Sequence, residues 1–163
     1  MSAEPRAERF SAPPSYGSMD RPGELLPWSE VARWLEGARN YWVVTVRPDG
    51  RPHAMPVWAV WLQRALWFST HPDSVKGRNI ARDPRIVVHL ESGDDVAIVE
   101  GRSEQAAPGE AVERFVDAYD AKYGIRIDVG ERAMGIFVLR PWAVAAWRER
   151  DYPRSATRWT FER

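Results

Sequence analysis

The chain has 163 residues, a length typical of one domain with a single hydrophobic core. Its 23 basic and 23 acidic side chains give a formal net charge of zero, which argues against nucleic acid or an acidic membrane as partner, and the absence of cysteine excludes disulfides, zinc-cysteine sites, iron-sulfur clusters and thiol nucleophiles. Nine tryptophans are more flat apolar surface than one core needs, so we expect part of it to face a ligand or another subunit.

Residues 1–27 are predicted to form a flexible leader, followed by one domain over residues 28–163. The leader contains five prolines among Ser, Gly and charged residues, too little apolar material to order a segment by itself. No apolar run in the chain approaches the roughly 20 residues of a membrane span, and the N-terminus lacks a basic-then-apolar signal pattern. We therefore expect a cytoplasmic protein with no membrane partner.

The elements that follow are mostly short strands. An N-cap at Ser29 and a stop at Gly37 predict a first helix. Residue patterns predict strands over residues 41–46, 51–61, 65–70, 85–91, 96–104, 135–139 and 142–147. They predict helices over residues 74–82 and 110–123, with Gly124 as the C-terminal stop of the second. Six or seven short strands joined by tight turns predict a mainly β fold, a small antiparallel barrel with peripheral helices.

The usual catalytic signatures are missing from the sequence. It has no phosphate-loop glycine pattern, no GxGxxG, no GxSxG and no HExxH. Its three histidines, His53, His71 and His89, are scattered and lack the carboxylate company of a metal site, so no metal is expected. If the protein is an enzyme, an organic cofactor must supply the reactive chemistry.

One candidate site is the strand around Pro56. Proline cannot donate to a strand ladder, so Pro56 belongs at an edge or bulge, where a planar ligand can lie against backbone groups. The alternative is an ordinary barrel wall. The two-residue period places His53, Met55 and Val57 on one face and Ala54, Pro56 and Trp58 on the other.

A second candidate is the segment from Ser69 to Asn79, in which a strand ends in Ser69-Thr70 and a helix then begins with Ser74 or Asp73 as its N-cap. Free amides at a helix start, the positive end of the helix dipole and a nearby Lys76 form a small anion site without a glycine-rich loop. The alternative is an ordinary capped surface helix with solvated charges.

A third candidate is the C-terminal stretch. It carries Trp147 and then Trp159 and Phe161 among charged residues, and aromatic side chains in a tail need something that buries them. A partner subunit is the expected contact for Trp147 and Trp159. Trp34 and Trp42 are expected in the core, and Trp58, Trp61 and Trp67 in the barrel wall or a ligand pocket.

These segments together resemble the pyridoxamine 5′-phosphate oxidase-like, FMN-binding split-barrel family. The resemblance covers residues 41–104, with weaker similarity through Arg158. It rests on Asp49-Gly50-Arg51-Pro52-His53, Pro56-Val57-Trp58, Trp67-Phe68-Ser69-Thr70, Ser74-Val75-Lys76, Asn79-Ile80 and Asp83-Pro84-Arg85, in that order and spacing.

The resemblance implies a homodimer of six-stranded antiparallel split β-barrels with two flavins in the interface. It implies that residues 53–58 run beside the flavin ring and that the start of the predicted helix binds the phosphate. The cofactor-binding residues implied are His53, Ala54, Met55, Pro56, Val57, Trp58, Ser69, Thr70, Ser74, Val75, Lys76, Asn79 and, from the second subunit, Trp147 and Arg158.

The sequence differs from that of the pyridoxamine 5′-phosphate oxidases at three places, and these differences argue against vitamin B6 oxidation as its activity. The oxidases place basic residues where this chain has Met55 and Val60, and they carry a C-terminal histidine element that residues 154–157 lack. The pattern is closer to the flavin and deazaflavin reductases of the superfamily.

The leading functional hypothesis is therefore an FMN-dependent oxidoreductase acting on a small, planar, apolar molecule. One alternative is an F420-dependent reductase, whose acidic tail would meet Arg51, Arg78 or Arg82, and another is a non-catalytic flavin- or tetrapyrrole-binding protein. No catalytic residue is assigned: His53 is the nearest candidate for acid-base work because the pKa of histidine lies near neutrality, but a ring-packing role is preferred.

Overall fold

The computed structural model describes residues 4–9, 24–128 and 134–162. The described chain contains three helices, α1 (Trp28–Gly37), α2 (Val75–Arg82) and α3 (Glu110–Tyr123). It also contains nine strands: β1 (Arg6–Arg9), β2 (Tyr41–Val46), β3 (Pro52–Val57), β4 (Ala59–Leu62), β5 (Ala65–Thr70), β6 (Arg85–Leu90), β7 (Asp95–Gln105), β8 (Gly135–Arg148) and β9 (Thr157–Thr160). None of these helices has both the length and the apolar character needed to cross a membrane.

All strand pairings are antiparallel. The strands follow the order β1-β9-β8-β7-β6-β2-β3, and β5 pairs with β4 and with the first half of β8. The mainly β, antiparallel split barrel expected from the sequence is confirmed, with nine described strands in place of six.

Two apolar clusters hold the fold together. The larger fills the inner face of the sheet, where Val43, Val88 and Val99 pack with Val31 and Leu35 of α1. In the smaller, α3 covers β4, β5 and the start of β8. The helix α3 ends at Gly124, as predicted, because this residue adopts a left-handed φ of 69° that only glycine takes without strain.

Two predicted boundaries are wrong. Residues 51–61 form two strands that separate at Trp58, and residues 135–148 form one strand instead of two. The long strand continues through Pro141 because β8 has a bulge there: Trp142 is the extra residue, opposite the step from Glu100 to Gly101 of β7. Gly101 fits there because a Cβ atom would lie 2.3 Å from the carbonyl oxygen of Arg140.

The N-terminus of α1 also differs from the prediction. The helix begins at Trp28, its N-cap is Pro27, and Ser29 is not the cap. The Pro27 carbonyl accepts the amide of Glu30 at 3.0 Å, which closes the first turn without a side-chain cap.

The chain buries Trp159 in its own core, so the expectation of a subunit contact for that residue is wrong. Trp159 lies on β9, a strand the sequence did not predict; it is 1% exposed and its ring lies 5.6 Å from that of Trp28. The strand β1, within the predicted leader, pairs with β9 and was not predicted either. Residues 1–3 and 10–23 of that leader lie outside the described residues.

A half-buried ion pair joins α1 to the end of β8. The guanidinium of Arg148 donates to both carboxylate oxygens of Glu30, with Nε at 3.0 Å. The two side chains are only 26% and 19% exposed, so removing one charge strands the other in a poorly hydrated place.

We expect Glu30→Gln to lower the free energy of unfolding by roughly 2 kcal/mol, because it weakens or removes the three charge-assisted hydrogen bonds from Arg148 and leaves that charge uncompensated. Urea denaturation measures the change. The control is Glu110→Gln, which removes the exposed pair with Arg114 and should cost less than about 0.5 kcal/mol. Equal losses in the two variants would contradict the role given to the Glu30–Arg148 pair.

Candidate cofactor-binding site

The strand β3 forms one edge of the sheet. In the described chain it pairs only with β2, with His53 opposite Thr45 and Met55 opposite Val43. The side chains of Thr45 and Val43 point into the barrel and are buried, whereas Met55 on the same face is 45% exposed. The inner wall of the barrel is therefore open along β3, as Pro56 predicted.

A chain of polar contacts links β3, β2 and α2. His53 Nδ1 lies 3.4 Å from Thr45 Oγ1, and Asn79 Nδ2 donates to the same hydroxyl at 2.9 Å. Thr45 and Asn79 are 1% and 3% exposed, so this contact fixes the first turns of α2 against the open wall.

The helix α2 begins with the predicted cap. Ser74 Oγ accepts the amide of Gly77 at 3.1 Å and lies 3.1 Å from Thr70 Oγ1 at the end of β5. The Ser74 carbonyl accepts the amide of Arg78 at 2.9 Å. Within the described chain these bonds leave the amides of Val75 and Lys76 open at the positive end of the helix, as an anion site requires.

Gly77 permits this arrangement. A Cβ atom at residue 77 would lie 2.3 Å from the carbonyl oxygen of Pro72 and 2.7 Å from that of His71. The loop before α2 can therefore fold over the helix start only when residue 77 has no side chain.

The start of α2, Thr45 and His53 form a corner beside the open wall, and the charges acting on His53 there are the cations Arg47 and Lys76. The neighbouring carboxylate of Asp73 is 86% exposed. Burial lowers the pKa of Lys76, and no ion pair to Lys76 occurs in the described chain. The pKa of His53 is also lowered, chiefly by burial and then by the cations of Arg47 and Lys76. His53 is therefore held neutral near pH 7, and the corner suits an anion better than a cation.

The other predicted residues of β3 face elsewhere. The outer sheet face carries Ala54 and Pro56, opposite Val44 and Trp42, while Val57 packs against the main core. Trp42 was expected in the core, but its half-buried ring stacks on that of His89 on the outer face, with 6.4 Å between centroids.

The two hydroxyl residues that end β5 lie on opposite faces. Thr70 points to the corner, whereas Ser69 shares the face of Trp67, which packs under α3. Trp61 and Trp67 are 7% and 5% exposed and belong to the two cores.

Trp147 and Arg158 are distant from this corner within one chain. Arg158 lies on β9, five strand spacings or roughly 24 Å along the sheet from β3, and pairs with Glu100 at 3.5 Å. Trp147 is the second-last residue of β8, and its indole nitrogen donates to the Glu149 carboxylate at 3.0 Å. Only a second chain could bring these residues to the corner, which stays a prediction.

Sequence reasoning missed Thr45 and the cation Arg47 as parts of this corner. A signal for Thr45 was present, because Tyr41, Val43 and Thr45 alternate on one face and a hydroxyl on an inward face needs a partner. Nothing in the sequence placed Arg47 beside His53.

Comparisons with known proteins identify the family and the fold. Residues 28–150 match the model of the pyridoxamine 5′-phosphate oxidase family, which is more than half of the chain. The chain belongs to this family. A comparison with curated proteins found no match.

Solved structures share the fold. A conserved hypothetical protein from Mycobacterium tuberculosis has a TM-score of 0.69 at 23% identity, covering 80% of this chain and 89% of its own. An F420 reductase has a TM-score of 0.54 at 26% identity, covering 69% and 94%. A pyridoxamine 5′-phosphate oxidase-related, FMN-binding protein from Nostoc punctiforme has a TM-score of 0.58 at 18% identity, covering 85% and 92%. Heme-binding and heme-storage proteins share the fold as well.

Proposed function

We propose that the protein is an FMN-dependent oxidoreductase that binds its flavin at a homodimer interface and transfers a hydride to or from a small, planar, apolar substrate. The observation that carries this proposal is the corner at the start of α2. Two open amides, the cap hydroxyl of Ser74 and the cation of Lys76 lie there beside an open apolar wall.

The groups at the corner suit a flavin phosphate. The amides of Val75 and Lys76, the one free hydroxyl hydrogen of the Thr70–Ser74 pair, and the ammonium of Lys76 are donors to a phosphate. The Asn79–Thr45–His53 contacts set the position of α2 relative to β3. The exposed Met55 and its neighbours on β3 then supply a wall for a planar ring.

When bound, such a cofactor supplies hydride transfer. The role of the chain is to bind, to orient and to exclude water. His53 is held neutral by burial and by two cations, so it contributes a hydrogen bond and a flat contact instead of a charge.

The positions of Val60 and Met55 in the structure also argue against vitamin B6 oxidation as the activity. Val60 is 7% exposed and packs in the cluster under α3 with Trp67 and Phe115, where no phosphate has access. Met55 is exposed but apolar, so neither position supplies the cation that the oxidases place there.

The proposed homodimer uses the outer face of the sheet. The exposed or half-buried side chains there are mostly apolar: Trp42, Val44, Val46, Ala54, Pro56, Val87 and Ile98. We propose that this face packs against the same face of a second copy of the chain. Such a dimer would also bring Trp147 and Arg158 of the other chain toward the corner.

The second candidate is an F420-dependent reductase. The 26% identity to an F420 reductase favours it, and the anion corner would serve its phosphate equally well. Its longer acidic tail requires cations outside the corner, and the exposed Arg51 and Arg78 provide them.

Cofactor release and titration test the proposal. The protein is purified, the released cofactor is analysed by absorbance and mass spectrometry, and the apoprotein is titrated with FMN and F420 under identical conditions. We expect yellow protein and tight FMN binding. Tight F420 binding without FMN binding would favour the second candidate, whereas a released tetrapyrrole, or no binding of either cofactor, would contradict both.

A further inference from the structure

The chain has only two lysines among its 23 basic residues, Lys76 and Lys122. Lys76 belongs to the corner, and Lys122 lies in the last turn of α3. Lys122 Nζ donates to three oxygens: the Glu36 carbonyl at 2.9 Å, the Tyr41 hydroxyl at 2.9 Å and the Ala59 carbonyl at 3.1 Å. An ammonium has three donors, and here each has its own acceptor on a different element, α1, β2 or β4.

The neighbouring Tyr123 also contacts the backbone of Ala59. Its hydroxyl accepts the amide of Ala59 at 3.0 Å and lies within donating distance of the Ala59 carbonyl at 2.9 Å and of the Arg39 carbonyl at 2.8 Å. The junction between β3 and β4 is therefore held by the end of α3.

Trp58 occupies this junction. It belongs to neither strand, and its ring stacks on Tyr123 with 4.8 Å between centroids and 2° between planes. The guanidinium of Arg39 lies 5.2 Å from the same ring. Trp58 directly follows Val57, the last residue of the strand that forms the proposed flavin wall. Its placement depends on α3 and not on strand pairing, so α3 sets where that end of β3 lies.

We propose that Lys122 and Tyr123 are positioning residues for the cofactor wall, because they fix the junction that holds Trp58. This inference rests on the proposed flavin function. Lysine suits position 122 because a compact ammonium reaches three oxygens in different directions, which the planar guanidinium of arginine does not match.

The same contacts predict a pH dependence. Burial lowers the pKa of Lys122 to about 8, with the Glu36 carboxylate opposing the shift. Above that pH the neutral amine loses one donor, so one of its three acceptors is released and the wall loosens. The other groups facing the amine are the phenols of Tyr41 and Tyr123, whose pKa values are raised by burial, so they stay neutral there.

NMR of the apoprotein tests whether the pKa of Lys122 is lowered. With Cε-labelled lysine the protein should give two lysine signals, assigned by Lys122→Met. The Lys122 signal should titrate with a midpoint of about 8, below the ordinary value of about 10.4. A midpoint at the ordinary value would contradict the burial of this ammonium between α1, β2 and β4.

FMN affinity tests whether Lys122 and Tyr123 position the cofactor wall. The variants are Lys122→Met, Lys122→Arg and Tyr123→Phe. The control is Arg126→Met, which removes an exposed cation beyond α3. We expect roughly tenfold weaker FMN binding and an altered visible spectrum of the bound flavin in the first three variants, and no change in the control. The unmodified protein should bind FMN more weakly one pH unit above the Lys122 midpoint than one pH unit below it. The Lys122→Met variant should show no such difference.

The outcomes separate the two claims. If the unmodified protein binds neither FMN nor F420, the proposed function fails and this inference fails with it. If it binds FMN and the Lys122 and Tyr123 variants bind with unchanged affinity, spectrum and pH profile, only the positioning inference is overturned. Should Lys122→Met fail to fold, Lys122→Arg and Tyr123→Phe decide the question.

Discussion

Replacing Lys76 with methionine is expected to weaken FMN binding by roughly 10- to 100-fold while leaving riboflavin binding nearly unchanged. The reason is that the ammonium is half-buried at the start of α2 and has no acidic partner in the described chain, so a phosphate is its expected counter-ion. Riboflavin has the same ring but no phosphate, so it reports on the wall alone. Flavin fluorescence quenching measures both affinities.

The control for this experiment is Arg114→Met, which removes an exposed cation from the outer side of α3. It should bind FMN like the unmodified protein. If Lys76→Met loses riboflavin and FMN affinity equally, Lys76 supports the fold of the corner and does not contact the phosphate. Unchanged FMN affinity would place the phosphate elsewhere.

Substituting arginine for Val44 should convert the proposed dimer into a monomer of 18.7 kDa that no longer binds FMN. Val44 lies on the outer sheet face between Ala54 of β3 and Val87 of β6. In a two-fold interface the new charge meets the same face of the second copy, where it has neither water nor a partner. The cofactor is lost because its site is proposed to need both chains.

Light scattering gives the mass, and circular dichroism shows whether the sheet is intact. The matched control is Ala111→Arg on the exposed side of α3, which should remain a dimer and keep its flavin. An unmodified protein that is monomeric, or a dimeric Val44→Arg variant, would contradict the proposed interface. A monomer that still binds FMN would show that one chain is sufficient for the site.

The elements that the sequence predicted well are those with local signals. The cap at Ser74 and the stop at Gly124 define α2 and α3, because each depends on a residue type acting within one turn. The exposed edge at β3 followed from Pro56, which cannot donate to a second neighbouring strand.

The elements that failed depend on distant partners. The strand β9 is short, and it became a strand because β8 and β1 pair with it on either side. Trp159 could not be assigned to the core without knowing that β9 covers Trp28 of α1. Pro141 predicted a break between two strands, but β8 continues through a bulge at Trp142 whose partner, β7, lies about 40 residues earlier in the chain.

In the candidate site, too, residues with a local signal were predicted and residues that depend on distant contacts were missed. Ser74, Lys76 and Asn79 are brought to one corner because a single capped helix carries them. The contribution of Thr45 depends on how β2 lies beneath that helix, and the contribution of Tyr123 depends on a contact 64 residues away in the chain. Neither contact leaves a local pattern in the sequence.

A crystal structure of the protein with FMN tests the central claim most directly, because it shows where the phosphate lies. We expect the phosphate within hydrogen-bond distance of the Val75 and Lys76 amides and the Lys76 ammonium, with the ring against β3 and a second chain on the outer sheet face. A phosphate bound away from the start of α2, or a ring that does not contact β3, would contradict the account.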